Sequence, residues 1–196
     1  IEKYGEMPLP PYIKTKLEDR ERYQTVYSEK SKSAAAPTAG LHMTNELLDR
    51  CVERGARIEF VELVVGLDTF RPIGSENIEE HKMHSEFYDV SEKVITACEE
   101  AERVIAVGTT TVRALETAAI GKLKGRTDIF IKQPYDFKIV DLLLTNFHLP
   151  KSTLLIMLDA FLGERWKSLY KEALDQNYRF LSFGDAMLVQ RRFLGN

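Results

Sequence analysis

With 196 residues, 44% hydrophobic and 29% charged, the chain has an ordinary globular composition, enough for one sizeable core. A formal net charge of −3 excludes a global basic footprint for nucleic acid, and no apolar run approaches the ~20 residues that span a bilayer. Cys51 and Cys98 fall on the apolar faces of predicted helices and read as buried thiols in a reducing compartment, not as a disulfide or a metal pair. We therefore expect a cytoplasmic protein with no membrane association, acting as a monomer. No signal peptide opens the chain, and its first residue, Ile1, reads as the start of a piece of something longer.

Residues 1–32 are expected to form an extended lead-in to a single α/β domain spanning 1–196. Met7-Pro8-Leu9-Pro10-Pro11-Tyr12-Ile13 cannot be helical, since each proline drives its predecessor out of the α region. Tyr23-Gln24-Thr25-Val26-Tyr27 is rich in β-formers and predicts a short strand. Next comes Ser33-Ala34-Ala35-Ala36-Pro37-Thr38-Ala39-Gly40-Leu41-His42, a run without charge and almost without side-chain bulk. Such a segment either packs tightly or lets the backbone approach a ligand, with Gly40 free to take positive φ. If it faces a ligand, bulk at Gly40 should harm binding more than folding.

Asn45 to Arg54 carries Leu47, Leu48, Cys51 and Val52 on one helical face, stopped by Gly55. Arg57 to Val65 predicts a strand buried on both faces, ending in the turn Gly66-Leu67-Asp68-Thr69-Phe70-Arg71-Pro72. After the polar connector His81-Lys82-Met83-His84-Ser85-Glu86, Ser91 caps a helix with Val94, Ile95, Cys98 and Ala101 inward. Arg103 to Val107 predicts a strand, then Gly108-Thr109-Thr110-Thr111 opens a helix to about Ile120. Strands are expected at Thr127–Ile131 and Lys138–Leu144, and helices at Thr153–Leu162 and around Trp166 to Ala173. Two further strands are expected at Tyr178–Phe183 and Ala186–Val189, separated by Gly184-Asp185. The alternation predicts a layered α/β domain with a mixed, mostly parallel central sheet flanked by helices. No repeat of 20–50 residues and no low-complexity tract interrupts it.

In open α/β sheets ligands bind beyond the carboxyl ends of the strands. Four segments suit that place: Thr38–His42, Gly66–Arg71, Gly108–Arg113 and Thr145-Asn146-Phe147-His148. The Gly108 segment would present free backbone N–H groups and a positive helix end to a carboxylate or phosphate, reinforced by Arg113. It is neither a P-loop nor a dinucleotide fingerprint. His81 and His84 at i and i+3 do not match H-E-x-x-H, and no cysteine completes a tetrahedron, so we expect acid–base or substrate contact and no metal. Ser152 and Ser182 lack a nucleophile elbow. Lys122, Lys124, Arg126, Lys132 and Lys138 outnumber Asp128 and Asp136 locally and read as a solvated face.

Taken together, the Pro-Pro-Tyr-Ile lead-in, Tyr23–Tyr27, Ala35–His42, Thr69-Phe70-Arg71-Pro72, His81–Glu86, Val107–Thr110, Thr145–Leu154 and Gly184-Asp185-Ala186-Met187 resemble the S-adenosylmethionine:tRNA ribosyltransferase-isomerase family of queuosine biosynthesis. The matches run in family order from about residue 7 to 189. Two segments depart from the family pattern: Gly66-Leu67-Asp68-Thr69-Phe70, where Asp68 replaces a glycine, and Lys132-Gln133-Pro134-Tyr135. The family's N-terminal segment and inserted β-barrel domain are absent from these residues, so the resemblance covers most of the α/β domain.

The resemblance implies transfer of the ribosyl part of S-adenosylmethionine to 7-aminomethyl-7-deazaguanine at the tRNA wobble position. Epoxyqueuosine is formed, with release of adenine and methionine. S-adenosylmethionine is then a substrate, and no prosthetic group is implied. His42, His84 and His148 are the candidate bases or acids. Thr38, Gly40, Thr69, Arg71, Glu86, Gly108, Thr109, Thr110, Arg113, Asn146 and Asp185 are the candidate substrate-binding residues. The alternative is a catalytically silent or diverged RNA- or nucleoside-binding paralogue with another acceptor.

Overall fold

The computed structural model describes residues 9–10, 12–14, 19–28, 36–64, 78, 81, 83 and 85–192. His84, Thr69 and Arg71, with Asp68 beside them, lie outside the described residues.

Local signals place the helices. In α1 (Asn45–Glu53) the Thr44 hydroxyl accepts from Leu47 N, and in α2 (Glu92–Glu100) Ser91 accepts from Val94 N. α3 (Thr109–Ile120) starts after Gly108, whose φ of 89° is accessible to glycine at little cost. α4 (Thr153–Leu162) is capped by Ser152 and stopped by Gly163 at φ 61°. α5 is Arg165–Asp175. Each cap satisfies donors that the first turn leaves without an intrahelical partner.

Six described strands form two three-stranded sheets. In the first, β1 (Glu62–Val64), β2 (Glu86–Asp89) and β4 (Lys124–Thr127) pair antiparallel, with Leu63 opposite Tyr88 and Tyr88 opposite Gly125. In the second, β5 (Leu142–Asn146) lies between β3 (Ile105–Val107), which is parallel to it, and β6 (Ala186–Gln190), which is antiparallel. Helix α3 packs against both sheets, touching β1 and β4 on one side and β3 and β5 on the other. The core therefore gathers around Val112, Ala114, Leu115, Ala106, Leu143, Leu158 and Phe161, all 3% exposed or less.

The layered, mixed α/β arrangement matches the sequence reading, and parallel pairing is confined to β3 with β5. The three other described pairings are antiparallel because β4 runs back along β2 and β6 runs back along β5. Tyr23–Tyr27 is not a strand: a 3-10 turn at Arg20–Tyr23 is followed by a turn in which Ser28 N bonds Thr25 O. Tyr23 and Thr25 are buried, and Tyr23 packs edge-on against Phe183, so the β-formers here serve packing instead of a ladder.

The strand expected over 57–65 shortens to β1, which is only half-buried and pairs on one side among the described residues. Thr127–Ile131 was expected as a strand, but pairing with β2 selects Lys124–Thr127 instead. Backbone N–H groups of Lys138, Ile139 and Val140 bond the Glu116 carboxylate, so the predicted strand there begins only at Leu142. Tyr178–Phe183 is turn and bend: Asp185 accepts from Arg179 N at 2.7 Å and Leu181 has φ 71°. Both cysteines are half-buried free thiols. Burial pushes the Cys98 thiol up, whereas α1, which carries Cys51, has no buried residue.

Candidate active site

β3 and β5 end side by side, tied by Gly108 N donating to Leu144 O at 2.8 Å. Beyond those ends lies a cavity of about 110 Å³, partly open to solvent. Its wall is built from four places in the chain: Tyr12, the 36–39 stretch, the 108–110 turn and the 145–152 segment, closed by Leu181 and Ser182. Among the described residues the wall holds Lys151 and no Asp or Glu. Gly108 offers no side-chain cap to α3, so the positive end of that helix meets the cavity without an N-cap side chain.

The 3-10 turn Thr38–His42 crosses the end of β5. Thr38 Oγ1 donates to Asn146 Oδ1 at 3.1 Å, and Asn146 Nδ2 bonds His42 Nε2 at 3.2 Å. Asn146 is 4% exposed and lines the cavity; His42 is half-buried and does not. His148 also lines it, with Nε2 2.8 Å from Thr145 Oγ1 and its backbone N donating to Tyr170 Oη at 2.8 Å. Burial lowers the His148 pKa to about 4, since desolvation penalises the imidazolium.

That shift sets a pH dependence. A folded-state value below the unfolded 6.5 makes the unfolded chain bind more protons between the two, so stability falls as pH drops from about 6.5 toward 4. At about 1.4 kcal/mol per unit the loss reaches roughly 3 kcal/mol at most. Thermal unfolding from pH 7 to pH 4 should show a His148-dependent drop that His148→Gln flattens; equal slopes for both proteins would refute it.

Several expected site residues stand elsewhere. Arg113 and Glu86 do not line the cavity; they form an ion pair with each other, both 4% exposed, joining α3 to β2. Arg113 therefore cannot cradle a carboxylate at the start of α3, because its position in α3 turns it to the first sheet. Asp185 is also absent from the wall. Its carboxylate is held below the usual range by hydrogen bonds from the Arg179 side chain and backbone. Gly40 is buried by contact with Tyr27 and Thr25 rather than exposed to the cavity. A Cβ there would overlap the Tyr27 hydroxyl and lie 2.8 Å from Thr25 Cγ2. The expectation that bulk at Gly40 spares folding is thus reversed: Gly40→Val should lower the melting temperature before any ligand is added, and an unchanged melting curve would count against this packing.

His81 lies edge-on to Phe130 at 5.5 Å. Among the described residues no three His, Cys, Asp or Glu side chains come together to hold a metal ion, and no helix is long and apolar enough to cross a membrane. The departing segment around Gln133 packs on α4, where Gln133 Nε2 donates to Asp159 Oδ2 at 2.6 Å. Tyr12, Lys151 and Ser182 belong to the wall although the sequence reading did not select them; the Pro-Pro-Tyr motif was the one signal pointing to Tyr12.

A mixed α/β core with a pocket at the strand ends and a helix N-terminus in its wall is the arrangement in which α/β domains hold small molecules. The chain belongs to the family described as queuosine biosynthesis protein, whose profile matches residues 1–189. It is 55% identical over 199 residues to the S-adenosylmethionine:tRNA ribosyltransferase-isomerase of Halothermothrix orenii. It is 54% identical over 199 residues to that of Caldanaerobacter subterraneus subsp. tengcongensis. Both matches cover 96% of this chain and 58% of the relative. The crystal structure of S-adenosylmethionine tRNA ribosyltransferase from Thermotoga maritima is similar with a TM-score of 0.62 at 42% identity, over 76% of this chain and 50% of that one. The chain thus spans a little over half the length of the curated relatives it matches.

Proposed function

We propose that this chain is the S-adenosylmethionine-binding part of a tRNA ribosyltransferase-isomerase. The reaction moves the ribosyl unit of S-adenosylmethionine to 7-aminomethyl-7-deazaguanine at the tRNA wobble position, giving epoxyqueuosine, adenine and methionine. S-adenosylmethionine is consumed as substrate, and the chemistry calls on no prosthetic group. Such an enzyme would work in the cytoplasm, as a monomer.

The observation that carries the reading is the cavity with the α3 N-terminus in its wall. The methionine carboxylate would accept from first-turn N–H groups at Thr109 and Thr110, with Lys151 adding positive charge. Thr38 and Asn146 supply further polar contacts, and Phe147 and Leu149 supply apolar surface. The sulfonium acidifies the neighbouring 5′ C–H, so a base removes that proton, and expelled adenine takes up another. His148 stays neutral near pH 7, which suits contact with substrate and makes it a poor proton donor. Proton removal falls to His42, His84 or His148, with Thr69 and Arg71 as further binding candidates from the sequence.

The limited span relative to the relatives keeps a binding-only reading in view. Net charge is −3, and tRNA binding draws on clustered Lys and Arg. Residues 1–196 are therefore expected to bind S-adenosylmethionine weakly, bind tRNA poorly and release little adenine. The same residues within a chain of the relatives' full length should recover both tRNA affinity and adenine release, with circular dichroism as the folding control. A folded full-length protein that releases no adenine would overturn the enzymatic reading, and full activity from 1–196 would overturn this division of labour.

A further inference from the structure

Asn146 presents the only side-chain amide in the cavity wall among the described residues, and both its atoms are already engaged. The Thr38 hydroxyl donates to Oδ1, and the Nδ2 of the same amide faces His42. Nδ2 donates to His42 Nε2, which places the ring proton of that tautomer on Nδ1. Asn146 touches the cavity and His42 does not.

We infer that His42 is a positioning residue, acting on the cavity through Asn146. The inference rests on the S-adenosylmethionine reading above for its ligand. Thr38 holds one end of the amide and His42 the other, from a turn more than 100 residues away in sequence. An amide so held keeps its remaining N–H and its remaining oxygen lone pair in a fixed order. That order decides which polar edge of a ligand it pairs with. A free amide would have to be ordered on binding, which weakens affinity. What the relay needs from residue 42 is an acceptor at the Nε2 position, and a glutamine carbonyl reaches the same place. A proton-transfer role needs the imidazole itself, so the two roles predict opposite behaviour for His42→Gln. The proton-removing group of the proposed reaction would then be another imidazole.

The test has two arms on the 1–196 chain. Calorimetry with S-adenosylmethionine should place His42→Gln within about threefold of the natural protein. His42→Ala and Asn146→Ala should each bind about tenfold or more weakly, and the double variant no worse than either alone. Without ligand, the Asn146 side-chain NH2 resonances should keep their positions and exchange protection in His42→Gln and lose both in His42→Ala. Amide dispersion in the same spectra reports folding, and if His42→Ala unfolds, His42→Gln against the natural protein decides. Loss of binding or altered amide signals in a folded His42→Gln protein would overturn the inference, as would unchanged amide signals in a folded His42→Ala protein. If the natural chain binds no S-adenosylmethionine, the ligand assignment fails while the amide resonances still decide the relay.

Discussion

Replacing Glu86 by Ala is expected to lower the unfolding free energy by about 3–5 kcal/mol, the range for removing one partner of a buried ion pair. Arg113 would be left with its charge buried in α3, and its Nε and Nη2 already have no hydrogen-bond partner among the described residues. Water does not replace the carboxylate at that depth, since both side chains are about 5% exposed. The companion change distinguishes a broken pair from a general packing defect. Glu86→Leu with Arg113→Met removes both charges and should recover most of the loss, because two apolar groups no longer need each other. Urea unfolding at constant m-value is the measurement. A double variant as unstable as Glu86→Ala would mean that shape, not charge, governs this contact.

The second large effect is expected at Glu116, which is 0% exposed in the middle of α3. Its two carboxylate oxygens accept from Lys138 N at 2.8 Å, Ile139 N at 3.0 Å and Val140 N at 3.0 Å, and Tyr135 Oη lies 3.4 Å away. Glu116→Ala leaves three backbone donors without acceptors, at about 1 kcal/mol or more apiece, so a loss of at least about 3 kcal/mol follows. Glu116→Gln keeps one acceptor oxygen but turns an NH2 toward donors, and should fall between the two. Equal stability of Gln and natural protein would show that the carboxylate charge contributes nothing to holding this turn.

These two residues also mark what can and cannot be read from sequence. Caps at Thr44, Ser91 and Ser152 were legible because a cap depends on residues three apart. The Gly108-Thr109-Thr110 turn and Asn146 could be placed at a pocket, since strand ends and helix starts have local signatures. Arg113 was misread as a ligand contact because charged residues in a helix usually face water; only the placement of α3 between two sheets shows that Glu86 is its counterpart. The Lys138–Leu144 strand started too early for the same reason: β-propensity cannot report that Glu116, more than 20 residues earlier, captures the backbone. Gly40 was read as room for a ligand, yet the room belongs to Tyr27. The sheet pairing was obscured because alternation of strands and helices does not say which strands turn back.

The way the cavity is stitched together also has a kinetic side. Thr38 meets Asn146 across 108 positions and Tyr12 meets Ser182 across 170, whereas α3 and its strand β3 are sequence neighbours. Closing a loop of about 100 residues costs about 2 kcal/mol more than closing one of ten, for one or two hydrogen bonds in return. Contacts of such span slow folding and consolidate after the local ones. The sheet around β5 is thus the template on which the 36–42 turn and the Tyr12 segment are later fastened. The wall contributed by Tyr12 and the 36–39 stretch is then expected to close last.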